Sequence, residues 1–193
     1  MLTQRLKTVA HATVLVYAVI LLSPGYAQSQ EVRLSVAELK STSSSVVVAR
    51  TVKTESYWNA DRSAILTRVT LRVEDRILGE AAEETVVIVP GGQIGEYIHE
   101  VSDMPSFATD DESVVFIERH SSGVNVVSGG AQGKLDIEVD TRTNLRSVIG
   151  GQGLFPDMKL DATPGAAADV SPDGVSPKDT ISLDEFKNKI RQR

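Results

Sequence analysis

From Ala64 to Gly79 the chain reads A-I-L-T-R-V-T-L-R-V-E-D-R-I-L-G, with Ile65, Thr67, Val69, Leu71 and Val73 on one parity. Leu66, Arg68, Thr70, Arg72 and Glu74 fall on the other. A period of two, one face mostly apolar and one mostly charged, predicts a long β-strand with one side on a core and one in water. The alternation slips at Glu74-Asp75 and restarts at Ile77-Leu78, which predicts a bulge or bend there. Shorter runs supply strands to pair with it. Val46–Thr54 and Thr85–Val89 are β-branched, Ser113–Arg119 and Val124–Ser128 flank a Ser121–Gly123 turn as a hairpin, and Ala131–Val139 alternates as the last strand. Glu55–Ser63 reads as a loop with Asn59 and Asp61 as turn residues. Gln93–Ala108 has no clean period and reads as an ordered excursion with one short strand at Glu96–Val101.

Helical spacing occurs twice. Leu34–Leu39 has Ser35 as N-cap, Glu38 three residues on, and Val36 and Leu39 on one face. In Ile181–Arg193, Ser182-Leu183-Asp184-Glu185 has the form of a capping box, and Leu183, Phe186 and Ile190 share a face. Acids start this helix and bases end it, as the helix dipole favours. About three turns are marginal in isolation, so the helix is expected to dock weakly or to serve a partner. The pattern predicts a leader over 1–27, a lead with a short helix over 28–45, a β-barrel domain with its trailing segment over 46–160, a flexible linker over 161–180 and a helix over 181–193. The linker assignment rests on its Ala, Pro, Gly and Asp content. The fold class expected is all-β, a small closed or partly open antiparallel barrel with Val69, Leu71, Val73, Val87, Val115, Ile117 and Leu135 in its core.

Composition adds a compartment and removes several chemistries. Arg5 and Lys7 precede an apolar run from Ala12 to Leu22, Pro24-Gly25 break it, and Gly25 and Ala27 offer small residues at −3 and −1. That is the pattern of a secretory signal peptide cleaved before Gln28, and it implies a periplasmic or secreted protein. An uncleaved anchor is the competing reading, but the run is short of the roughly 20 residues that span a bilayer. The net charge is −6, and no basic stripe suits nucleic acid or an anionic membrane. With no Cys there are no disulfides and no thiol chemistry, so stability must come from the core.

The sequence carries no motif for a catalytic residue, metal set or cofactor. His99-Glu100 does not continue into a zinc motif, and no G-x-S-x-G elbow marks a nucleophile. Gly150-Gly151-Gln152-Gly153 meets Pro156 where a dinucleotide fingerprint needs its third glycine. Gly91-Gly92 and Gly129-Gly130 read as turns, and Asp110-Asp111-Glu112 as a solvated turn without calcium-loop spacing. The candidate binding residues are aromatic: Tyr57, Trp58, Tyr97 and Phe107. Trp58, the single Trp, either caps the barrel core or anchors a partner.

The succession V-V-V-A-R-T-V, a loop with Trp58, I-L-T-R-V-T-L-R-V-E-D-R-I-L-G, T-V-V-I-V-P-G-G, M-P-S-F-A-T-D-D-E-S-V-V-F-I and V-V-S-G-G-A-Q-G-K-L-D-I resembles a group of exported bacterial proteins of unassigned function. Through them it resembles the netrin-like domain of tissue inhibitors of metalloproteinases, an OB-type barrel. The resemblance covers about Val46 to Ile137 and implies such a barrel and a domain that recognises other proteins. Those inhibitors grip a protease zinc through an amino-terminal Cys. This chain has no Cys, so the resemblance implies the fold and not that mechanism. The function expected is therefore an exported, non-enzymatic protein-binding module whose partner is another exported protein. A hydrolase with a dispersed site is the alternative.

Overall fold

A computed structural model describes residues 33–150 and 179–192. The leader, cleaved or anchored, and positions 151–178 of the trailing segment and linker lie outside the described residues. The fold is antiparallel β with two short helices. In chain order it comprises helix α1 (Val36–Thr42), strands β1 (Ser45–Trp58), β2 (Ile65–Leu78), β3 (Glu84–Pro90), β4 (Gly92–Ile94), β5 (Tyr97–His99), β6 (Glu112–Arg119), β7 (Asn125–Val127), β8 (Lys134–Val139), β9 (Arg146–Gly150) and β10 (Asp179–Ser182), and helix α2 (Leu183–Arg191). Eight strands form one sheet in the order β10-β9-β8-β6-β1-β2-β3, with β7 also on β6, and β4-β5 form a separate hairpin. The sheet curls until β3 comes alongside β7, where Asn125 Nδ2 donates to the Val86 carbonyl at 3.2 Å. That link is a side-chain one; the backbone ladder order ends at β3 and β10.

The register bears out the slip expected at Glu74-Asp75. Ala49 faces Val73 while Val48 faces Asp75, so Glu74 is an extra residue on β2. The bulge changes which side of the sheet the following residues meet. Before it, Val69, Leu71 and the partly buried Val73 join Val47, Ala49, Val87, Val115 and Ile117 in one core cluster. After it, Ile77 joins Val46, Val48, Val114, Phe116 and Val148 in a second cluster on the opposite face. The sheet therefore has a core on each face around β1, whereas the alternation of β2 alone predicts one wet face. Leu135 belongs to the second cluster, not to the one shared by the other expected core residues.

Four further expectations change. β1 runs on to Trp58, because Glu55, Ser56, Tyr57 and Trp58 pair with Arg68, Thr67, Leu66 and Ile65. The loop expected at Glu55–Ser63 thus shortens to a turn after Trp58. β8 is not the last strand: β9 pairs with it, and β10 pairs with β9. Asp179 and Thr180, expected in the linker, are the start of β10. Finally, α2 does not dock weakly. Ser182 caps it by accepting from the Glu185 N–H. Leu183, Phe186 and Ile190 are buried with Val36 and Leu39 of α1. Phe186 is 0% exposed and meets Phe116 edge to face at 6.4 Å. On α1 the capping box of Ser35 and Glu38 is complete.

Charge pairs tie the outer elements to the ladder. Arg50 reaches Glu74 at 3.0 Å and Glu112 at 3.3 Å, and Arg146 on β9 pairs with the same two carboxylates. Asp75, turned by the bulge to the face that carries α2, receives Lys187 at 2.9 Å and Arg191 at 3.5 Å from that helix. The hydrogen bond from Lys187, with the charges of both bases, holds the Asp75 carboxyl below its ordinary value despite partial burial.

Two measurements check this architecture. Phe186→Ala should cost about 3–5 kcal/mol in urea unfolding, since the ring fills a fully enclosed site; an unchanged midpoint would mean that α2 does not close the core. Asp75 titrates with the opposite sign to a buried acid. Its carboxyl is depressed in the fold, so its stabilisation is complete above the ordinary aspartate range near pH ~4 and is lost as pH falls through the lower folded-state value. Asp75→Asn should therefore lower the urea midpoint at neutral pH, and the gap to wild type should close toward pH ~2. A gap that persists there would assign the effect to packing instead.

Candidate functional site

Two of the aromatic candidates, Trp58 and Tyr97, meet at one end of the sheet, where β1 turns into β2. Asn59 makes the turn. Its backbone N–H donates to the Ala64 carbonyl at 2.9 Å, and its side-chain oxygen accepts from the Ala64 N–H at 3.0 Å. The turn fixes the register, so Ser56 lies opposite Thr67 and Trp58 opposite Ile65.

On that base sits the β4-β5 hairpin. Thr67 donates its hydroxyl to the Gly91 carbonyl at 2.7 Å. With that proton committed, the 3.1 Å contact between Ser56 Oγ and Thr67 Oγ1 must be a donation from Ser56. Ser56 in turn accepts from the Gln93 N–H at 3.3 Å. The chain of donors therefore runs Gln93, Ser56, Thr67, Gly91, and each hydroxyl is used twice. A second tie comes from His99, whose Nδ1 lies 3.2 Å from the Ile65 N and 3.4 Å from the Ile65 carbonyl oxygen. A third is Trp58 against Tyr97, edge to face with centroids 5.7 Å apart. The corner between β3 and β4 is Gly91-Gly92, the expected turn. Gly92 has φ +136, and a Cβ there would run into the hydroxyls of both Thr67 and Ser56.

The four aromatic candidates do not form one surface. Trp58 and Tyr97 are brought together. Tyr57 is on the other face of β1, as alternation requires, with the Arg68 guanidinium 5.0 Å from its ring centre. Phe107 packs on the inner cluster with the Lys134 ammonium 5.4 Å from its ring. Sequence reasoning did not single out Ser56, Thr67 or His99 as the residues that position the hairpin. The signal available was parity: once Asn59 pins the turn, Ser56 and Thr67 fall opposite one another.

The hairpin also walls a cleft of about 620 Å³ together with Val89, His99, Met104, Pro105 and Phe107. A smaller apolar pocket of about 220 Å³ lies between β3 and β7 under Pro105. His120 is at an exposed turn, where its Nδ1 is 2.8 Å from Ser122 Oγ and also accepts from the Ser122 N–H. Among the described residues neither histidine meets a carboxylate, and no group of three or more His, Asp or Glu is arranged to hold a metal ion. No described helix is long and apolar enough to cross a membrane. Compared with protein-family models, with curated proteins and with solved structures, the chain finds no match.

Gly92→Ala tests whether the hydroxyl chain holds the hairpin. The substitution should cost roughly 1–3 kcal/mol through strain at positive φ and the displaced hydroxyls. It should also change the emission of Trp58, the single Trp. Unaltered stability and emission would show that the corner tolerates a side chain and that the hydroxyls do not fix it.

Proposed function

We propose that the protein is an exported, non-enzymatic binding module that takes another exported protein on the surface around Trp58 and Tyr97. The observation that carries this is the β4-β5 hairpin. Tyr97 and Ile98 are 67% and 65% exposed on an element that the Ser56–Thr67 chain and His99 fix to the sheet. Large apolar side chains held rigidly in solvent cost little ordering entropy on binding, and aromatics are favoured at binding hot spots. The signal-peptide pattern of residues 1–27 supports export to the periplasm or the medium. The curl that brings β3 beside β7 supports a partly open, OB-like barrel and, with it, the netrin-like relationship. The hydrolase alternative draws on the cleft beside His99, but no hydroxyl or carboxylate is hydrogen-bonded to that ring among the described residues.

Capture from the native envelope or secretome tests the proposal. Wild type, Trp58→Ala and Tyr97→Ala are used as baits, with circular dichroism to establish that each is folded. The variants should lose one specific partner, with affinity down about thirtyfold for a hot-spot loss of about 2 kcal/mol. Equal recovery of every partner by folded variants would remove this surface from the reading.

A further inference from the structure

Strand β5 is paired on one side only. Gly92, Gln93 and Ile94 face His99, Ile98 and Tyr97, and the two-stranded sheet ends there. Among the described residues the outer edge of β5 takes no backbone partner. Open edges are normally blunted by charge, proline or a covering element. Here the edge carries instead two of the most exposed apolar side chains of the fold.

The two faces of β5 differ. Tyr97 and His99 turn toward the sheet, one against Trp58 and the other onto the Ile65 N–H. Ile98 has the opposite parity and points away; Glu96 in the turn before the strand and Glu100 just after it flank it along the chain. Both carboxylates are exposed, and neither has a basic partner among the described residues. The outward-pointing Ile98 is thus flanked along the chain by two exposed carboxylates, at positions 96 and 100.

We infer that the outer edge of β5 binds an extended segment of a partner protein by strand addition, and that this segment carries an apolar side chain with a Lys or Arg two residues to either side. The inference rests on the binding reading above and names the chemistry of the partner. Main-chain hydrogen bonds along the edge supply register, and alternate side chains supply selection. Opposite charges directly across a strand pair stabilise it, and like charges oppose it. The same rule argues against a second copy of this chain. In an antiparallel self-pair centred on Ile98, each Glu96 stands opposite the other copy's Glu100, so both ends meet carboxylate on carboxylate. An apolar segment flanked by acids is refused for the same reason.

The single Trp provides the readout, since Tyr97 lies against it. The full chain is titrated with two capped synthetic peptides, Ser-Lys-Thr-Val-Thr-Lys-Ser and Ser-Glu-Thr-Val-Thr-Glu-Ser. The basic peptide should change Trp58 emission saturably, bind about tenfold or more tighter than the acidic one, and weaken as salt rises from about 50 mM to about 500 mM. Replacing both carboxylates, Glu96→Gln with Glu100→Gln, should bring the ratio between the two peptides toward about one, with thermal stability held because both side chains are exposed and unpaired. Equal binding of both peptides to wild type would overturn the charge selection while leaving the aromatic surface standing. No change in Trp58 with either peptide would overturn strand addition at β5. The Tyr97→Ala capture result decides the aromatic surface separately. A dimer in analytical ultracentrifugation that the double Gln variant strengthens would overturn the choice of partner in favour of a second copy.

Discussion

Four consecutive residues of β1, Val46, Val47, Val48 and Ala49, are fully buried, and a strand that alternates its side chains can bury four in a row only if both faces of the sheet are covered. The rest of the fold follows from that constraint. One face is covered by α1 and α2, which bring Val36, Leu39, Leu183, Phe186 and Ile190. The other is covered by the curl of β2, β3 and β6 and by Met104 and Phe107 from the irregular segment. β2 must serve both sides, and it does so through the bulge at Glu74, which lets apolar residues before it face one core and Ile77 face the other. The charged residues displaced at the bulge are put to use. Glu74 joins Arg50, Glu112 and Arg146 across four strands, and Asp75 receives the two bases of α2.

Much of this was legible because it is written in local patterns. The alternation of β2, its slip at Glu74-Asp75, the β-branched runs of β1, β3 and β6, and the Ser35–Glu38 cap each depend on residues near in sequence. What was not legible depends on partners far away. Arg146–Gly150 and Asp179–Ser182 are short, mixed in polarity and without a clear period; they are strands because β8 offers an edge and each then offers one to the next. The double burial of β1 could not be read from Val46–Ala49 alone, since an apolar run of that length suits a strand buried on both faces as well as a short buried helix.

The site divides in the same way. Trp58 and Tyr97 were visible as candidate aromatics, one in an expected loop and the other in the irregular segment Gln93–Ala108. Their meeting depends on a register that brings the hairpin back over the base of β2. Treating Tyr57 and Trp58 as neighbours on one loop failed because β1 continues through both and sends them to opposite faces. Phe107 was absorbed by the inner core, where an irregular segment finds its apolar partners. The small hydroxyls of Ser56 and Thr67 carry no pattern in sequence, yet they hold an otherwise isolated three-residue ladder in one orientation. A two-stranded hairpin is marginal without such support.

Gly150 and Asp179 are direct partners across the β9–β10 ladder. β10 and α2 are thus held by the β9 ladder and by the core that Leu183, Phe186 and Ile190 complete, rather than by their neighbours in sequence. A strand and helix held in that way can complete the fold in trans, which makes residues 179–192 the natural half of a split protein.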